Sequence, residues 1–295
     1  MTAPIARQYR PLLGIALMLV FTTMASGLDA FTKWMSEWYS APQLIWIRYT
    51  SQTLMFMGLI LPLGWRRVAA TQIPHLQAAR GLALLASSFF FVMSLSLLPF
   101  ATAKVLSFIS PMLVAAISAY VLGERIGTAR MAAILTGFAG VVIVMRPGSV
   151  SIEPAMVFPL LTAVTYAAYQ LLTRHAAGID AALPSLFYTS LVGCLLPTFV
   201  VPFFWTQTPS AIEIAILFVH GILAGLGHFV LIKALSYAPA STVAPFGYAS
   251  LIWAVVFGFL VFGELPDWGT LAGGLVIAAA GVCLVRLEAR SARAR

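Results

Sequence analysis

Charge is what this sequence has least of. Asp, Glu, Lys and Arg make up 9% of its 295 residues, against about 25% in an ordinary globular protein. A water-soluble fold could not cover its surface from that supply. Cysteine is nearly missing as well. Two residues, Cys194 and Cys283, exclude a disulfide scaffold and read as buried, inert thiols inside apolar runs. There is no G-x-x-x-x-G-K-[ST] loop, so no ATP motor of that kind, and no H-E-x-x-H zinc motif. Neither a Ser-His-Asp set nor paired carboxylates stand out for catalysis. No run carries the regular arginines of a voltage sensor.

What is present is apolar: 61% of the residues, with a mean hydropathy of +0.97. Disorder, which needs charge and little apolar matter, is excluded. The formal charge of +8 is scattered through apolar sequence, a poor footprint for nucleic acid. The composition is that of an integral membrane protein whose partner is the lipid bilayer. A crossing helix needs about 20 predominantly apolar residues, and ten such runs are expected: 11–33, 44–64, 79–98, 101–122, 129–146, 155–174, 183–204, 211–235, 240–262 and 266–286. They are continuous rather than alternating, which favours helices over a barrel. The first run is longer than a signal-peptide core and no A-x-A site closes it, so it reads as a retained span.

Basic residues gather on the cytoplasmic side of membranes. With the N-terminus inside, thirteen of the seventeen Lys and Arg fall inside, leaving Lys33, Arg48, Lys104 and Arg146. Ten spans return the C-terminus to the same side. An internal repeat then emerges. Residues 94–124 and 234–264, offset by 140, agree at eight of thirty-one positions, with Leu-Ser, Pro and Gly-Glu landmarks in register. The chain therefore divides into two five-span halves, 1–148 and 152–295. Five is odd, so the second half must be inverted relative to the first. Inverted repeats around a central site are the architecture of secondary transporters that work by alternating access.

The pattern resembles the drug/metabolite transporter superfamily, EamA family. The residues that carry the resemblance are Lys33 ending the first span, Pro42, Arg48 in the second, and spans that open at Pro99 and Pro239 and close at Gly123-Glu124 and Gly263-Glu264. Ala25-Ser26 stands where the family often has Trp-Gly. Within the family the sequence is most similar to YddG-type exporters of aromatic and other amino acids. The resemblance implies a central cavity lined by spans 1, 3, 4, 6, 8 and 9.

Polar groups inside spans are costly and face the bundle interior or a wet cavity. Asp29 is the one carboxylate well inside a span, and Lys33 follows at i+4, so the two are expected to share a helix face. They read either as a self-compensating pair or as charges that meet a zwitterionic substrate or take up a proton. In the other half Gln170 stands opposite Asp29. Span 8 carries His220 and His228, within about 80° of one another; the latter is the stronger candidate for a carboxylate contact or proton relay. No nearby Cys or acid completes a metal site, and no metal or cofactor is expected. Ser87 and Phe91 in span 3, Tyr166 in span 6, and Tyr248 and Trp253 in span 9 complete the candidate binding set with Lys104. Pro111 and Pro245 are expected to bend their helices. Arg48 and Lys104 are expected to snorkel toward the outer interface, Lys104 alternatively attracting carboxylates to the entrance; Lys233 is expected to snorkel inward. Glu124 and Glu264 are expected to fix the turns after spans 4 and 9.

These readings converge on a multi-pass transporter of the bacterial inner membrane, not an enzyme, exporting small amphipathic metabolites, chiefly amino acids including aromatic ones. The alternative is another solute in the same fold: a drug cation, a nucleotide-sugar or a sugar phosphate. With one embedded acid, facilitated passage and exchange against protons both stay open.

Overall fold

The computed structural model describes residues 10–122, 127–146, 153–176, 179–237 and 240–293. In chain order it has α1 (Pro11–Met35), α2 (Ala41–Leu63), the short α3 (Trp65–Val68), α4 (Pro74–Leu97), α5 (Phe100–Ser107), α6 (Ser110–Leu122) and α7 (Thr128–Met145). The second half has α8 (Val157–Ala176), α9 (Ala182–Val200), α10 (Ala211–Tyr237), α11 (Ala240–Val243), α12 (Ala249–Phe262) and α13 (Trp268–Arg293). Among the described residues there is no strand, and the helices make the ten expected crossings, α5–α6 forming the fourth and α11–α12 the ninth. Nine segments are long and apolar enough by themselves to span a membrane among the described residues. The exception is α2, which carries Gln43, Arg48, Ser51 and Gln52.

Proline punctuates these helices. Pro11, Pro42 and Pro74 sit in first turns, where the missing N–H is no loss. Inside the fourth and ninth crossings it does the opposite. The helix lapses at Phe108–Ile109 just before Pro111, and Pro245 lies in a 3-10 stretch, Ala244–Tyr248. Both bends fall where the sequence places them, because proline can neither donate to the preceding turn nor avoid its carbonyl.

The loops sort onto two faces. On the first, Ser40 donates to Phe204 O at 2.6 Å, Gln43 to Gln207 O at 2.8 Å, and Arg146 pairs with Asp267 at 2.6 Å. On the opposite face Thr71 and Gln77 donate to Asp180, and Arg10 N to Tyr237 O at 3.0 Å. Equivalent helices of the two halves run antiparallel where they touch. In the α2–α9 pair Trp46 meets Thr198 while Thr50 meets Cys194; in the α7–α13 pair Gly140 lies against Ile277 and Arg146 against Gly269. Parallel copies would have equivalent helices running the same way, so the halves are inverted.

Individual contacts repeat under the same exchange. Gly81 packs on Val192 where Gly221 packs on Ser51. Arg80 Nε donates to Thr173 Oγ1 at 3.0 Å where His220 Nε2 meets Thr32 Oγ1 at 3.2 Å. These pairs sit 140 and 141 residues apart along the chain.

The glycines let helices approach where apolar attraction between them is weak in lipid. A Cβ on Gly221 would lie 1.8 Å from Ser51 Oγ and 2.7 Å from Arg48 O, whereas one on Gly58 would meet nothing within 4 Å. Gly221→Val is therefore expected to lower the melting temperature of the detergent-solubilised protein, by the about 1–3 kcal/mol typical of overpacking. Gly58→Ala should leave it unchanged. Equal melting curves for the two variants would contradict the close α2–α10 approach.

Candidate functional site

The left-handed turn at Gly263 (φ 66°) is a conformation that glycine adopts without strain. It reverses the chain after α12 so that Glu264 N donates to Gly258 O at 3.0 Å. The Glu264 carboxylate then reaches another element. It accepts the Phe100 N–H at 2.6 Å, satisfying an otherwise unpaired donor at the start of α5, and pairs with Lys33 Nζ at 3.2 Å. Lys33 Nζ also donates to Leu95 O at 3.1 Å and Leu98 O at 2.7 Å, the carbonyls that end α4. One ion pair thus clamps the α4–α5 turn from both sides. Glu264 is structural, as expected, but the turn it fixes belongs to the other half. Glu124 lies outside the described residues.

The expected Asp29–Lys33 pairing does not form. Asp29 Oδ2 pairs instead with Lys104 Nζ at 2.6 Å. The i+4 spacing allowed the first pair, but the lysine gains three acceptors at the α4–α5 turn, and Lys104 enters from α5 to take its place. Nor does Lys104 snorkel. It is 4% exposed, with the Phe91 and Phe100 rings each 5.9 Å from its ammonium.

Arg48 differs from expectation in the same sense. It turns inward, donates from Nη2 to Ser88 Oγ at 2.9 Å, and lies 4.7 Å from the Tyr49 ring centre. Tyr49 Oη shares the same serine at 2.8 Å. Seven residues into α2, Arg48 is ~10 Å from the first face. Snorkelling that far would forfeit these partners. It borders two spaces. Toward the middle of the bundle is a cavity of about 90 Å³ lined by Tyr49, Tyr169, Ser190 and His228 among others. Toward the first face is a gap of only about 10 Å³ among Phe31, Met35, Leu44, Val92, Leu217 and His220. The larger space admits a few waters, not a metabolite. These spaces are bordered by crossings 1, 2, 3 and 8 and by 2, 3, 6, 7 and 8. Crossings 2 and 7 contribute where 4 and 9 were expected.

The cavity is shut on both sides by equivalent layers of different chemistry. Leu44 and Leu217 belong to an apolar cluster on the first-face side. Their counterparts by position, Ser185 and Gln77, are hydrogen-bonded at 3.0 Å on the other. There Gln77 also accepts from Arg80 and donates to Asp180 at 2.8 Å. Partial burial raises the Asp180 pKa, but hydrogen bonds from Thr71, Gln77 and the Gln72 N–H, with the charge of Arg80, outweigh it and hold the carboxyl below its ordinary 3.8. Stability from a lowered carboxyl pKa is complete above the ordinary value and lost as pH falls through the folded one. The Asp180 carboxylate therefore keeps its charge, and with it these hydrogen bonds' acceptor, throughout the neutral range.

The other candidates are dispersed. Ser87 is buried and donates to Thr162 O at 3.4 Å, joining α4 to α8. Tyr166 is 39% exposed and stacks on Tyr169; Gln170 is half-buried one residue beyond it. His228 borders the cavity, its Nδ1 2.9 Å from Ala224 O. The Tyr248 hydroxyl fills the space left by Gly281, with Phe108 5.5 Å from its ring. Trp253 packs near Phe257. Cys283 is exposed on α13 rather than buried, and Cys194 is intermediate. Lys233 is exposed near the end of α10 on the opposite face. Among the described residues no three His, Cys, Asp or Glu gather for a metal. Tyr49 borders the cavity without any signal in the sequence, and Ser88 and Tyr169, which stand among the polar and aromatic residues of spans 3 and 6, lie outside the candidate set. Ser88 was within reach, because His228 lies 140 residues on, the offset of the repeat.

Two inverted five-helix units enclosing a midplane cavity define a membrane transporter rather than an enzyme. The model of the EamA-like transporter family matches the chain twice, over residues 12–146 and 154–287, and the protein belongs to that family. An S-adenosylmethionine uptake transporter of Rickettsia bellii is 25% identical over 95% of both chains. A pseudopaline exporter of Pseudomonas aeruginosa is 28% identical, covering 93% of this chain and 96% of its own. A riboflavin transporter of Rhizobium johnstonii is 27% identical over 96% and 94%. A crystal structure 22% identical in sequence superposes with a TM-score of 0.63 over 97% of this chain and 100% of its own, which speaks for the fold.

Proposed function

We propose that this transporter carries small amphipathic metabolites with an amino-acid headgroup, by alternating access between its two halves, 1–148 and 152–295. The observation that carries the reading is the pair of equivalent closures flanking one midplane cavity. Separating the layer of Leu44 and Leu217 would admit solute from the first face; separating the layer of Gln77 and Ser185 would release it to the other. Because the halves are inverted copies, one rocking motion exchanges the two states. The sequence carries no P-loop, so the drive in this reading is either the solute's own gradient or exchange against protons. In this reading, from the basic-residue count, the first face is the outer one. S-adenosylmethionine, the solute named for the Rickettsia relatives, is itself an α-amino acid, which supports the amino-acid headgroup. Export is the direction favoured by the YddG-type resemblance, uptake by those relatives.

The test is counterflow in proteoliposomes with labelled phenylalanine, methionine, S-adenosylmethionine and riboflavin. Solutes with the amino-acid headgroup should accumulate well above protein-free vesicles. Selective accumulation of riboflavin, or chemical turnover without movement, would overturn the reading.

A further inference from the structure

We infer that Arg48 is the carboxylate anchor of the transport site, so that a carried solute must bear a carboxylate at the end it presents to α2. This rests on the transport reading and makes it specific. Three features of Arg48 point the same way. Among the described residues no Asp or Glu lies within ion-pair distance of it, whereas Lys33 and Lys104 each have one. An uncompensated cation inside a membrane bundle is costly and marks a functional position. Its Nε is buried with no hydrogen-bond partner, an unmet donor that favours an incoming acceptor. Its remaining contacts hold it in place without neutralising it. Nη2 is on Ser88 and the guanidinium faces Tyr49.

The setting also says which anion fits. A guanidinium offers a carboxylate two parallel N–H donors. No second Lys or Arg borders the 90 Å³ cavity, so a dianionic phosphate would find half its charge unanswered. Tyr49 and Tyr169 on the cavity wall give the rest of the solute an apolar or aromatic surface. A neutral amide of the same shape keeps one carbonyl acceptor but sets an N–H donor against the other guanidinium N–H and leaves the cation unneutralised as the site closes. Discrimination against it should be about 10- to 100-fold, the range for hydrogen bonds to charged groups.

The experiment compares labelled L-phenylalanine and L-phenylalaninamide in counterflow with reconstituted wild type, Arg48→Lys and Arg48→Gln. Wild type should prefer the acid by at least tenfold. Arg48→Gln should raise KM for the acid toward that of the amide, and Arg48→Lys should fall between, since a lysine gives charge without the fork. Melting curves establish that the variants fold; if Arg48→Gln does not, the wild-type preference alone decides. Equal wild-type transport of acid and amide overturns the anchor while leaving a working transporter. Transport of neither, with riboflavin moved instead, overturns the amino-acid headgroup and the anchor together.

Discussion

Asp29→Asn should destabilise the protein more than removing Asp29 and Lys104 together. The pair is formed at 2.6 Å, with the Lys104 side chain 5% exposed and that of Asp29 24%. Breaking a buried pair by deleting one partner leaves the other as an unpaired charge, at a cost of about 3–5 kcal/mol. For Lys104 the remaining neighbours are phenylalanine rings, and a cation–π contact at 5.9 Å recovers about 2 kcal/mol, less than the cost of the stranded charge. Lys104→Met alone strands the carboxylate instead. The double variant Asp29→Asn with Lys104→Met removes both charges and nearly conserves volume, so it should melt close to wild type, while each single variant melts on the order of 10 °C lower. Additive effects of the two singles would mean the pair contributes no coupling. The same variants address protons. If the double variant folds and its transport still responds to an imposed pH gradient as wild type does, Asp29 has no coupling role. Loss of that response with transport retained would give it one.

The sequence made the fold legible because membrane spans are written in one continuous signal, and because the Gly-Glu corner at Gly263 and Glu264 repeats at the right offset. It could not assign partners. Asp29 and Lys33 are neighbours on one helix, and nothing local says that Lys33 will prefer the carbonyls of Leu95 and Leu98, or that Lys104 will arrive from another helix. Those choices are made by helix packing. The same holds for Arg48. Four residues into an apolar run, it has the spacing of a snorkelling residue, and only the close approach of α4 brings Ser88 to it. Aligning Arg80 with His220 and Gln77 with Leu217 locates both closing layers without coordinates, but the chemistry changes between copies, so residue type alone hides the equivalence.

That equivalence leads to the strongest test of the mechanism. Thr32 and His220 hold one closing layer, Thr173 and Arg80 the other, at matching positions of inverted halves. If the halves rock as units, tying either layer shut must stop the cycle, although each tie touches only one end of the protein. In a background with Cys194→Ser and Cys283→Ala, the pair Thr32→Cys with His220→Cys and the pair Thr173→Cys with Arg80→Cys are joined separately by a short bis-thiol reagent. Each cross-linked form should transport at least twentyfold more slowly than its uncross-linked parent, and cleaving the linker should restore the parent rate. A channel-like path would behave otherwise, blocked by one tie and indifferent to the other. The first-face layer, apolar around Leu44 and Leu217, excludes water when closed. The opposite layer carries Gln77, Arg80 and Asp180, which water can solvate as soon as they part, so opening there exposes less apolar surface. The parent proteins should therefore dwell longer open to the polar side, and the tie across Thr173 and Arg80 should form more slowly than the tie across Thr32 and His220. Undiminished transport with either tie quantitatively in place would rule out a single rocking motion of the two halves.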